Sequence, residues 1–123
     1  MAKIIIAAYL DFATEAKRDE AVRLTTPVQM GTRNEEAGCH AYCFAADPGV
    51  PTRIQVYELW EDEASIAAHF KHHYYEQMKQ ILGSMGIVGT WNQMYEVARH
   101  EPVYGPDGQA REKFFTEPAT GSR

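Results

Sequence analysis

The chain is poor in cysteine, in basic clusters and in long apolar runs, and each shortage removes a class of function. Its two cysteines, Cys39 and Cys43, lie in a segment that reads as a strand. Four strand residues span about 13 Å, whereas disulfide-bonded Cα atoms lie about 4.4–6.8 Å apart. The pair cannot bridge without breaking the strand, and two cysteines fall short of a structural zinc set. They read as packing residues. A net charge of −5 with no basic cluster argues against a nucleic acid or an anionic membrane as partner. The longest apolar run, Ile4 to Leu10, covers seven residues, too few to cross a bilayer. It ends at Asp11 and meets a polar, helix-like stretch instead of a small-residue cleavage site, so a signal peptide is a poor reading and the expected compartment is the cytoplasm. No repeat, low-complexity block or interdomain linker is visible.

What is present suits one globular domain. The 123 residues are 45% hydrophobic and 24% charged, ordinary values for a chain that buries one core. Lys3 to Phe12 is apolar and β-branched and reads as a strand. Asp11 or Thr14 is a candidate cap for the following helix, where Ala21, Leu24 and Val28 recur at helical spacing. Pro27 predicts a kink or a restart in that helix, and Gly38 a left-handed C-terminal cap. Cys39 to Ala46 and Arg53 to Trp60 read as strands of an antiparallel hairpin around Asp47-Pro48-Gly49-Val50-Pro51. From Glu61 the pattern turns helical. Ile66, Phe70, Tyr74, Met78, Ile81 and Met85 form one stripe on one helix. Ile87 to Arg99 reads as the last strand, with Trp91, Tyr95 and Val97 on one face.

The order is strand, helix, strand, strand, helix, strand. It predicts an α+β, ferredoxin-like βαββαβ domain over residues 1–100, with an antiparallel sheet and its helices on one face. Residues 101–123 form a C-terminal extension, an arm, a lid or a disordered tail, with a Gly105-Pro106-Asp107-Gly108 turn and Phe114 and Phe115 beyond it. The uncovered sheet face needs an apolar partner, and a second copy is the simplest one, so a homodimer is expected.

Tyr57-Glu58-Leu59-Trp60-Glu61-Asp62-Glu63-Ala64, followed by Ala68-His69-Phe70, resembles the signature of the antibiotic biosynthesis monooxygenase family. Glu36-Ala37-Gly38-Cys39 resembles the Glu-Pro-Gly-Cys step ending that family's first helix, with Ala37 in place of proline, and Tyr95-Glu96-Val97 resembles its last strand. The similarity covers residues 3 to 100. It implies a dimeric α/β barrel that oxidises a quinol, phenolic or polycyclic aromatic compound with O₂ as co-substrate and no metal, flavin or haem. It speaks more for the fold than for the reaction.

Such chemistry needs an apolar pocket, a group to take or orient the phenol proton, and exclusion of water. His69 matches the family's Ala-His position and is the candidate catalytic residue. Its plainer reading is a helix-flank histidine hydrogen-bonded to backbone or to a partner subunit. Tyr57, Trp60, Tyr74 and Trp91 are candidates for the substrate-binding wall, set against ordinary core and dimer packing. Asn92 and Arg53 are lesser candidates for a carbonyl or phenolate, and Met78 and Met85 read as adaptable core. His69 and His73 have a chelating i, i+4 spacing, but no neighbouring residue completes a metal site. Where the family often has a second histidine before an aromatic, this chain has Tyr74 before Tyr75. A haem-degrading relative would resemble proteins with an asparagine in the first strand, which Lys3 to Phe12 lacks. The alternative kept is a non-oxidative small-molecule binder or isomerase on the same fold.

Overall fold

The structure, a computed structural model, describes residues 1–115. Its elements are β1 (Ile4–Phe12), α1 (Glu15–Glu35), β2 (Cys39–Ala46), β3 (Arg53–Trp60), α2 (Glu63–His69), α3 (His73–Met85) and β4 (Ile87–Glu96). The strands form one antiparallel sheet in the order β2-β3-β1-β4. This is the expected α+β, ferredoxin-like βαββαβ arrangement.

Four local expectations change. Pro27 does not interrupt α1, which runs unbroken for 21 residues from its cap at Thr14. A proline inside a helix costs about 3 kcal/mol, and tertiary contacts offset it here. Gln29 accepts from the Phe44 N–H at 2.8 Å and donates to the Phe44 carbonyl at 3.2 Å. Ala21, Thr25, Val28 and Thr32 are buried along the same face. Gly38 is not the cap itself; Glu36 is, and Gly38 turns the chain two residues later at φ +83°. A Cβ at Gly38 would also lie 2.6 Å from Ser65 Cβ, so only glycine fits between these turns.

The third change is that the apolar stripe from Ile66 to Met85 spans two helices, not one. His72 caps α3, its Nδ1 accepting from the Tyr74 N–H at 3.1 Å. The break falls between His69 and His73, so they do not share a helix face. β4 also stops at Glu96 instead of Arg99, although the Val97 N–H still donates to the Lys3 carbonyl at 2.9 Å. In the extension, Tyr104 bridges Ala110 around the Gly105–Gly108 turn; its residues from 116 onward lie outside the described ones.

Strand alternation divides the sheet cleanly. Toward the helices, Tyr42, Glu58, Ile6 and Met94 stand in one row across all four strands, with Phe44, Val56, Ala8 and Asn92 in the next. The opposite face carries Ile5, Ala7, Tyr9, Tyr57, Leu59, Trp91 and Tyr95, and no element among the described residues covers it. Tyr57 is 46% and Trp91 43% exposed. Among the described residues, no helix is long and apolar enough to cross a membrane.

Candidate active site

The helices cover the sheet unevenly. α1 lies against β2 and α3, while the helix-facing side of β4 stays open, so Ile6 and Leu10 are only half-buried although they point inward. The gap is a cleft of about 390 Å³. Its floor is the two central rows of the sheet, and its roof is His69 and Phe70 with Tyr75, Met78, Lys79 and Leu82 of α3. A depression of similar size lies between Met1–Lys3 and residues 96–100. It has no aromatic wall and stands apart from the groups described next.

His69, the last residue of α2, is 2% exposed. Its ring is enclosed by Trp60, Tyr42 and Tyr75, with centroids at 4.6, 5.3 and 5.3 Å. Its Nδ1 lies 2.8 Å from Oε1 of Glu36, whose side chain is 4% exposed. Glu36 is brought there by the turn after α1 that Gly38 permits. With Glu36 as a carboxylate acceptor, Nδ1 carries the proton and Nε2 is the free base. Nε2 has no hydrogen-bond partner among the described residues. Burial pushes the His69 pKa below its ordinary value against the opposing pull of Glu36, so the resting ring is neutral near pH 7.

Glu58 is the second ionisable group of the cleft and escaped the sequence reading as a site residue. It is 7% exposed, and its Oε1 accepts from the Trp60 indole N–H at 2.9 Å. Burial pushes its carboxyl up to about 7, with the negative Glu36 adding to the shift and the indole hydrogen bond opposing it. The Tyr42 hydroxyl is pushed far above its ordinary value, first by burial and then by Glu58 and Glu36. Strand alternation alone held the signal for Glu58: Ile54, Val56, Glu58 and Trp60 share the inward face of β3. A carboxylate in that series is the exception to explain.

The other candidates scatter. Trp60 is fully buried beneath His69 and bonds Glu58, but it supports the cleft from behind. Tyr74 points to α1, where its hydroxyl donates to Glu35 and its ring covers Gly31. Tyr57 and Trp91 lie on the uncovered face, Trp91 stacked on Tyr9 at 6.1 Å. Alternation puts them opposite the cleft, whose aromatic walls are Tyr42, Phe44, Phe70 and Tyr75. Asn92 and Met78 line the cleft. Arg53 is on the far face, bound to Asp11 at 2.7 and 3.0 Å and seated over the Tyr9 ring at 3.8 Å. Met85 packs at the edge of the core. His73 stacks on His72 at 4.4 Å. Among the described residues no three His, Cys, Asp or Glu side chains gather as a metal site.

A profile of the antibiotic biosynthesis monooxygenase family matches residues 3–81. No functionally curated protein matches the chain. Among solved structures, a candidate antibiotic biosynthesis monooxygenase from Deinococcus radiodurans is 20% identical with a TM-score of 0.72, covering 83% of this chain and 99% of its own. One from Caulobacter crescentus is 17% identical with a TM-score of 0.72, covering 80% and 92%. A conserved protein from Methanosarcina mazei is 22% identical with a TM-score of 0.68, covering 77% and 92%. At these identities the neighbours speak for the fold, and the profile, which spans both the Glu36 turn and the His69 helix, speaks for kinship. The chain belongs to the antibiotic biosynthesis monooxygenase family.

Proposed function

We propose that this protein is a cytoplasmic, homodimeric, cofactor-independent monooxygenase that oxidises a quinol or a phenolic, polycyclic aromatic compound with O₂. What carries this reading is the Glu36–His69 pair, with His69 lining an aromatic-walled cleft and its Nε2 without a partner among the described residues. His69 takes the phenolic proton. The electron-rich anion then reduces O₂, and the apolar walls keep water from the intermediate. Written as SH₂ + O₂ → SO + H₂O, the reaction balances with the substrate supplying all four electrons. One oxygen atom enters the product and the other leaves as water.

Glu58 and His69 in one cleft also suit a second reading, proton relocation between two sites of an aromatic ketone without oxygen. Oxygen-electrode traces with a panel of hydroxylated anthrones and naphthoquinols separate the two. The monooxygenase consumes one O₂ per product, unchanged by EDTA; product formed without O₂ uptake supports the isomerase and defeats the oxidative reading.

The uncovered sheet face supports the dimer, since it carries exposed Tyr57, Trp91 and Tyr95 around Ile5, Ala7 and Leu59. Wild-type protein is expected to elute at twice its 13.9 kDa mass. Trp91→Asp, which places a charge in that field, is expected to elute as monomer. A wild-type monomer in light scattering refutes the pairing.

A further inference from the structure

Glu58 is a buried carboxyl with an unexplained free side. Its row neighbours are Ile6 on β1 and Tyr42 on β2. Oε1 is held by the Trp60 indole. Oε2 has no hydrogen-bond partner among the described residues, and Glu58 lines the cleft. Among the described residues no ionisable group around it explains it as a structural ion pair; the Cys39 thiol, pushed up to about 11 first by burial and then by Glu36 and Glu58, stays neutral. Glu36 is a like charge, His69 is engaged through Nδ1 by Glu36, and Lys79 pairs with Glu76 at 3.1 Å at the cleft's rim. Tyr42 is itself buried, and Tyr75 stands across the roof. Accepting from the buried Trp60 indole needs only one oxygen, which a glutamine amide would supply without a titratable group, so that bond alone does not explain a carboxyl here.

We propose that Glu58 is a ligand-binding residue of the cleft, donating from Oε2 to a carbonyl or phenolic oxygen of an aromatic ligand seated against Ile6, Phe44 and Met78. This deepens the reading of the cleft as an aromatic site and rests on it. Trp60 occupies Oε1 as an acceptor and so leaves the proton to Oε2, the oxygen facing the ligand. The burial that holds the carboxyl up to about 7 keeps that proton in place below neutrality. Glu58 thereby selects aromatic compounds with an acceptor oxygen over bare hydrocarbons of the same shape.

The probes are 9-fluorenone, which has one carbonyl acceptor, and fluorene, which has none; neither ionises. Binding to the full-length protein is followed by tryptophan fluorescence. At pH 5.5 the wild type is expected to bind fluorenone about tenfold more tightly than fluorene, the range of one hydrogen bond. At pH 8.5 the ratio is expected to fall toward one. Glu58→Gln, which keeps an N–H donor, is expected to hold the ratio at both pH values, and Glu58→Leu to bring it near one at both. A tenfold ratio that persists in Glu58→Leu at pH 5.5 makes His69 the donor and overturns the proposal. Equal binding of both probes by the wild type overturns it too while leaving the aromatic cleft intact. Binding of neither probe overturns both readings.

Discussion

His69→Gln is expected to lower kcat/KM for a quinol substrate by two to four orders of magnitude, the span of one general base. Glutamine can still donate to Glu36, so the buried carboxylate keeps a partner and the fold survives, but it has no basic nitrogen. Fluorene affinity should change by no more than a few-fold, which separates lost chemistry from a collapsed cleft. Glu36→Gln tests the second half of the pair. Glu36 pulls the His69 pKa upward against burial, and a neutral amide removes that pull. The acid limb of the pH–rate profile is therefore expected to move to lower pH while the plateau rate falls, since a weaker base takes the proton less readily. A merely structural Glu36 would leave the position of that limb unchanged. Turnover by His69→Gln within threefold of wild type defeats the assignment of His69 as the base.

The stability of the protein is expected to fall as pH rises from 5 to 8, and Glu58→Gln to remove most of that fall. Glu58 has a folded-state pKa of about 7 against an ordinary value of 4.5. The folded state thus binds the proton more tightly than the unfolded one. The contribution is fully present below about 4.5 and is lost as pH climbs through 7. The separation corresponds to about 3 kcal/mol, a large share of a small domain's stability. Urea denaturation at one fixed protein concentration should show wild type and variant close together at pH 5. At pH 8 the variant should be the more stable by up to about 3 kcal/mol, because its amide oxygen still accepts from Trp60 and no charge is buried. His69 works in the opposite sense. Its folded pKa is depressed, so its contribution is present above about 6.5 and is lost as pH falls through the depressed value. Removing Glu58 should uncover that acid-side loss. Parallel pH dependences for wild type and Glu58→Gln would contradict the account of a carboxyl held protonated by burial.

The sheet was legible because its signals are local and periodic. β2 and β3 end where the turn residues around Asp47–Pro51 and the change of period at Glu61 put their limits, and both bounds match the structure. The second helical unit was less legible. The spacing from Ile66 to Met85 fits one helix, yet the capping nitrogen of His72 and the turn at Phe70–His72 divide it. Side-chain capping competes with helix propagation at a cost too small to read from periodicity. Pro27 errs the other way, since a strong local breaker is overruled by Gln29 gripping the backbone of Phe44 from 15 residues away.

By itself the sequence determined which residues of each strand share a face, the order of the elements, and the position of His69 on a helix beside an aromatic signature. Alternation and helical spacing are properties of the chain's own geometry, so they can be read without a fold. Only the tertiary structure decided that His69 meets Glu36, 33 positions away, that Glu58 faces the same cleft, and that Tyr57 and Trp91 lie on the other side of the sheet. Those facts depend on where α2 and α3 stop over β1 and β4. That limit is set by packing between distant segments, which no local pattern encodes.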